Sequence, residues 1–128
     1  MLGKIVAAQP VDALTESNFN FLVLWYKHSA LKRDLIFELS KTNCNNMFKS
    51  SCSYCGISPF NTQNPKHLPT NRVYIYTGID QYIPRDGYRI TNCVPCCKYC
   101  NNAKKKLSPT QWWAWIDKII HFHSQDNK

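Results

Sequence analysis

The stretch Cys93-Val94-Pro95-Cys96-Cys97-Lys98-Tyr99-Cys100-Asn101-Asn102-Ala103-Lys104 decides the fold of this chain. It holds four of the seven cysteines, and a second pair, Cys52-Ser53-Tyr54-Cys55-Gly56, lies about forty residues upstream. Paired Cys-x-x-Cys is a tetrahedral zinc signature, because a two-residue spacer lets both thiolates of a knuckle turn toward one ion. Gly56 suits the turn that closes such a knuckle, since glycine enters the left-handed backbone region cheaply. Cys97 with Cys100 is the downstream pair we expect. Cys93 with Cys96 has the same spacing and stays open as a rival. Two disulfides, or buried free thiols, are the bland alternative to zinc.

Outward from the cysteines, the length of 128 residues predicts one domain. A chain this short buries a modest core, so a metal staple makes physical sense. With 44% hydrophobic and 13% aromatic residues the composition is globular. No apolar run approaches the roughly 20 residues of a membrane span. The opening Met1 to Ala8 is too short and too weakly apolar for a secretory segment. We therefore expect an intracellular protein that is not secreted and has no membrane partner, and a reducing compartment favours zinc over disulfides. The formal charge is +8, from 16 Lys and Arg against 8 Asp and Glu. A small basic protein usually meets a polyanion, and nucleic acid leads the candidates. Simple solubility is the bland reading of that charge.

Residues 1–15 carry no clear pattern and read as a flexible arm, followed by a single domain over 16–128. From Glu16 to Arg33 the pattern turns helical, with Phe21, Leu24, Trp25 and His28 as the expected packed stripe. Leu35 to Leu39 reads as extended, and Ser40 as the cap of a short helix through Met47 and Phe48. Cys44 lies there alone and reads as a buried thiol. Ser58 to Asn71 holds three of the seven prolines and reads as a loop carrying His67. Arg72 to Asp80 reads as one strand, Gln81 to Tyr88 as a turn, and Arg89 to Thr91 as the start of the return strand, with Asn92 at its end. The second knuckle then opens a helix through Lys106. Ser108-Pro109 restarts a helix as cap and first residue, with Trp112, Trp115, Ile116, Ile119 and Ile120 as its expected buried stripe.

Four segments together resemble the zinc-containing HNH (ββα-metal) endonucleases, of the small type common in phages and mobile elements. Tyr26-Lys27 with Ala30, Arg33, Phe37 and Leu39-Ser40 resembles the family's lead-in. Cys52-x-Tyr-Cys-Gly56 resembles its first knuckle. Gly78-Ile-Asp80 with Gly87-Tyr88 and Asn92 resembles the first strand, the turn and the central Asn. Val94-Pro95 through Cys97, Cys100-Asn101, Ala103 and Lys104, then Trp113 to Ile119, resembles the second knuckle and tail. The likeness covers about residues 26 to 120.

The resemblance implies an α+β fold: a zinc-stapled, treble-clef-like ββα core at about residues 52–106, flanked by N- and C-terminal helices. It implies a structural Zn²⁺ on Cys52, Cys55, Cys97 and Cys100. It implies a catalytic Mg²⁺ or Mn²⁺ on Asp80 and Asn101, with Asn92 orienting the hairpin, and hydrolysis of DNA phosphodiester bonds. Arg85, Arg89, Lys98, Lys104, Lys105 and Lys106 flank that cleft on its turn and helix, and we expect them to contact phosphates. The chain departs from the family at Gln81, which stands where the motif usually has its general-base His, although some relatives carry Arg there. An amide cannot take a proton from water at neutral pH, though it can orient one. His67 could reach the site only through folding of its loop. A catalytically weak or inactive nucleic-acid-binding zinc protein therefore stays open beside the enzyme, as does a zinc-stabilised interaction module. RNA stays open beside DNA, and a protein partner could supply specificity.

Overall fold

The computed structural model describes residues 16–63 and 73–126. The expected arm at 1–15 and the loop residue His67 lie outside the described residues. Helix α1 (Glu16–Lys32) buries Phe19, Leu22, Val23, Tyr26 and Ala30, an i, i+3, i+4, i+7, i+11 face. The expected stripe is the other one. Leu24, Trp25 and His28 are exposed and Phe21 is half-buried. The helix is apolar on two sides, so periodicity offers two faces. The inner one carries Ala30, small enough for close packing, and Tyr26, whose hydroxyl accepts a hydrogen bond from the Ile79 amide at 3.1 Å.

Helix α2 (Lys41–Lys49) starts as its sequence predicts. The Ser40 hydroxyl accepts from the Asn43 amide at 3.0 Å, and the Asn43 side-chain oxygen accepts from the Ser40 amide at 2.9 Å. Its inner residues Cys44, Met47 and Phe48 are buried, and the Phe48 ring meets Phe19 and Tyr26 at 5.9 and 6.0 Å. Between the helices, Leu35 to Leu39 runs extended beside Tyr88. The Tyr88 amide donates to the Ile36 carbonyl and the Glu38 amide to the Tyr88 carbonyl, each at 2.8 Å.

The single strand expected at 72–80 is split in two. Strand β2 (Tyr74–Tyr76) pairs antiparallel with β1 (Asn61–Gln63), and β3 (Gly78–Gln81) pairs antiparallel with β4 (Cys93–Cys96). The break falls at Thr77, whose amide donates to the Phe48 carbonyl at 2.8 Å rather than to a strand. Glycine suits position 78 next, since a Cβ there would crowd the Cys96 carbonyl at 3.0 Å and the Tyr26 hydroxyl at 3.1 Å.

The return strand begins at Cys93, later than Arg89. Residues 89–92 instead form a turn, closed by the Asn92 amide on the Arg89 carbonyl at 2.8 Å. Helix α3 (Lys98–Lys104) follows β4 directly, with Cys97 as its cap. Helix α4 (Pro109–Asp126) is capped by Ser108, as expected, through the Gln111 amide at 3.2 Å. Its expected buried stripe is not there. Trp112 is buried and Ile116 half-buried, but Trp115, Ile119 and Ile120 are exposed. From 117 to 125 every residue is exposed, so only the first turns of α4 rest on the domain. Among the described residues, four helices and two small antiparallel sheets make a mixed α and β fold, with helices flanking the hairpin. Among the described residues no helix is long and apolar enough to cross a membrane.

Candidate metal centre and cleft

The knuckle at Cys52 is a tight turn. The Gly56 amide donates to the Cys52 carbonyl at 3.0 Å, and Gly56 has φ +79°, as its position predicts. The Ser53 amide donates to the Pro95 carbonyl at 2.8 Å, which pins the knuckle to β4. The chain end of β4 then brings Cys97 and Cys100 alongside. The Sγ atoms of Cys52, Cys55, Cys97 and Cys100 all lie within 4.8 Å of one another. A tetrahedron with metal–sulfur bonds of about 2.3 Å has edges of about 3.8 Å, and Cys55 Sγ lies 3.8 Å from Cys97 Sγ. Backbone amides also point at the sulfurs: Tyr54 N–H at Cys52 and Cys100 N–H at Cys97, each at 3.4 Å. These donors suit thiolates. The four cysteines could thus hold a metal such as zinc. The rival pair is not in this set: Cys93 faces the core, where burial pushes its thiol up to about 12. Cys44 is likewise a buried thiol, raised to about 11 by desolvation.

Asp80 lies on β3 opposite Val94 and is buried. Its Oδ2 accepts from the Tyr54 hydroxyl at 2.9 Å and pairs with the Lys104 ammonium at 3.1 Å. Burial pushes its carboxyl above the usual range, against the pull of Lys104 and Tyr54 in the other direction. Lys104 is 0% exposed, and its ammonium also donates to the Gln81 carbonyl at 3.3 Å. This corrects the expectation that Lys104 contacts phosphates: its charge is spent inside. Sequence reasoning missed both partners of Asp80. Helical spacing held a signal for one, because Lys104 follows Cys97 and Cys100 by seven and four residues and so shares their inward face. Tyr54 carries no comparable signal. Its place depends on the knuckle docking beside β3, where its ring packs against Trp112 at 5.6 Å and Trp113 at 5.9 Å.

The hairpin loop is held by side chains. Asn92 Oδ1 accepts from the Ile83 amide at 2.9 Å, and its Nδ2 donates to the carbonyls of Ile83 at 3.1 Å and Gly87 at 3.0 Å. Gln81 Oε1 accepts from the Gly87 amide at 2.9 Å. The Gln81 side chain is therefore engaged in closing the turn.

A cleft of about 480 Å³ opens over this hairpin. Asp80, Gln81 and Asn101 line it, and so do Arg85, Lys105 and Lys106. Trp25 from α1 and Arg33, just beyond the end of that helix, line it as well; Trp25 was expected in the packed stripe, not here. Arg33 is held there by the Tyr88 hydroxyl, 2.7 Å from its guanidinium. Two further basic residues stand apart from the cleft lining. Arg89 is half-buried, and Lys98 lies over the rings of Phe60 and Tyr99, 5.5 Å from each.

This chain is similar to known proteins over part of their length. It is 39% identical over 80 residues to an uncharacterized protein of Acanthamoeba polyphaga mimivirus, spanning 62% of this chain and 13% of that one. It is 28% identical over 89 residues to YoqL, an SPbeta prophage-derived protein of Bacillus subtilis (strain 168) named as a candidate HNH endonuclease, spanning 68% of this chain and 37% of YoqL. The chain thus covers well under two thirds of either relative. No family profile matches it, and no solved structure matches it.

Proposed function

We propose that the chain is a metal-dependent endonuclease of the HNH (ββα-metal) type that hydrolyses DNA phosphodiester bonds, with a structural zinc on Cys52, Cys55, Cys97 and Cys100. One observation carries the reading: the hairpin and α3 bring Asp80 and Asn101 into one cleft walled by Arg33, Arg85, Lys105 and Lys106. The likeness to YoqL supports it. Carboxylate and amide oxygens are the donors that Mg²⁺ and Mn²⁺ prefer. Bound there, such an ion supplies charge stabilisation at a phosphoryl oxygen and at the leaving oxygen. The protein's own residues do the rest. Both contacts of Asp80 fall on Oδ2, which fixes the carboxylate and leaves Oδ1 as its offer to the cleft. The basic residues hold the strand by its phosphates, and Asn92 keeps the hairpin in register. Gln81 supplies no proton transfer. A positioned general base contributes about 10²- to 10⁴-fold, so the site is expected to cut slowly.

A second reading, a weak or inactive nucleic-acid-binding relative, draws on the buried Lys104, whose ammonium already compensates Asp80 without a divalent ion. Supercoiled plasmid incubated with Mg²⁺ or Mn²⁺ separates the two. Nicking by wild type that is lost in Asn101→Ala, an exposed position, supports the nuclease. A mobility shift without cutting supports the binding protein. Neither result supports a zinc-stabilised interaction module.

A further inference from the structure

The cleft does not end at Arg33. Trp25 and Ser29 line it on one side and on the other line a second groove of about 410 Å³ along α1, with Phe21, Leu24, His28 and Lys32. The two depressions share a wall, and the top of that wall is an indole that is 54% exposed. The charge around it has one sign apart from the floor. Arg33, Arg85, Lys105 and Lys106 line the first groove and Lys32 the second, and among the described residues Asp80 is the one acidic residue lining either.

An aromatic face inside a basic track has a use that a duplex does not exploit. In a duplex the base faces are stacked on one another and only edges and phosphates are offered. In an unpaired strand each base has a free face, and stacking on an aromatic side chain is tolerant of sequence. The second groove adds apolar walls at Phe21 and Leu24, with Lys32 placed for the adjoining phosphate.

We propose that the nucleic acid reaching this cleft is a locally unpaired DNA strand, with one base stacked on Trp25 and the next lying in the α1 groove. The proposal rests on the reading above only in that nucleic acid occupies the cleft. It adds the substrate class: single strands, bubbles or frayed ends in preference to intact duplex. It also makes Trp25 a binding residue on the face of α1 turned away from the core.

The test is fluorescence anisotropy with the full chain, zinc-loaded and without added Mg²⁺ or Mn²⁺. The probes are a labelled single strand, the matched duplex, and that duplex with a central unpaired bubble. Single strand and bubble are expected to bind about tenfold more tightly than duplex. Trp25→Ala should weaken single-strand binding by roughly tenfold, the loss of one base stack, while Trp25→Phe keeps most of it. Duplex binding should hardly change in either variant. Trp25 also meets the Tyr26 ring edge-to-face at 5.2 Å, so Trp25→Ala should melt somewhat below wild type and Trp25→Phe close to it, and binding is compared at a temperature where all three proteins are folded. Equal affinity for duplex and single strand would overturn the proposal, as would a Trp25→Ala protein that binds the single strand like wild type. Plasmid nicking is read separately: its absence with the strand preference intact removes the nuclease reading and leaves this one.

Discussion

Around Asp80 the polar side chains are buried and paired, whereas along the outer half of α4 the apolar side chains stand exposed. Lys104, Gln81 and Asn92 are all buried, and each has named partners at hydrogen-bond distance. Ile119, Ile120 and Phe122 sit on a helix whose residues 117–125 are all exposed. Both regions invert the ordinary rule of polar outside and apolar inside. The first does so because directional bonds replace water for each buried group. The second does so because only the first turns of α4 reach the domain. Apolar periodicity therefore says little about either.

The largest effect should come from the sulfurs. Structural zinc contributes about 10–16 kcal/mol of apparent binding free energy, which rivals the whole stability of a small domain. Elemental analysis is expected to give about one zinc per chain. Cys97→Ser should lose the metal and the cooperative melt. Cys93→Ser places a hydroxyl in the core and should lower the melting temperature but keep the zinc. If Cys93→Ser loses zinc and Cys97→Ser keeps it, the ligand set is wrong.

Next comes the pair that the amino-acid pattern concealed. Lys104, Lys105 and Lys106 are chemically equal in the sequence, yet one is fully buried and two line the cleft. Lys104→Met would leave Asp80 buried without its counter-charge, at a cost of about 3–5 kcal/mol. Lys105→Met should stay within about 0.5 kcal/mol. Urea unfolding of the two variants measures the contrast. Similar midpoints would mean that the ion pair carries no stability.

Much of this was legible in advance, for reasons that differ by element. The caps at Ser40 and Ser108 and the turn at Gly56 are local chemistry, and local chemistry is written in a few adjacent residues. The grouping of Asp80, Asn92 and Asn101 about one hairpin came from the combined motif. The split at Thr77 was hidden, because it depends on a carbonyl of α2 that is distant in sequence. The inner face of α1 was hidden for another reason. Phe19, Leu22, Val23 and Tyr26 compete with Phe21, Leu24 and Trp25 at the same period, and only packing against Phe48 decides between them.

A smaller effect is expected at Tyr54, the residue that ties the knuckle to the cleft. Tyr54→Phe keeps the ring between Trp112 and Trp113 and removes one hydrogen bond to a carboxylate, which is worth about 1.5–3 kcal/mol. Zinc content should not change. If the chain cuts DNA, kcat should fall more than KM rises, because the bond fixes Asp80 and does not touch the strand. A normal kcat in a stably folded Tyr54→Phe protein would show that Lys104 alone positions the carboxylate.

The smallest expected effect tests the other side of the comparison. Ile119 sits on the outer part of α4 and is 44% exposed, so Ile119→Gln removes little buried area. Its cost should fall within about 0.5 kcal/mol, the usual range for surface substitutions. About two helical turns earlier, Trp112 is buried against the Tyr54 ring, and Trp112→Ala should cost about 3–5 kcal/mol. Melting curves of the two variants, recorded at several protein concentrations, show whether the boundary between docked and projecting helix lies where the exposure places it. A Ile119→Gln protein destabilised by more than about 1 kcal/mol at low concentration would mean that the outer half of α4 folds back onto its own domain. A loss that appears only at high concentration would mean instead that Ile119 is covered by a second copy of the chain, since only association makes stability depend on concentration.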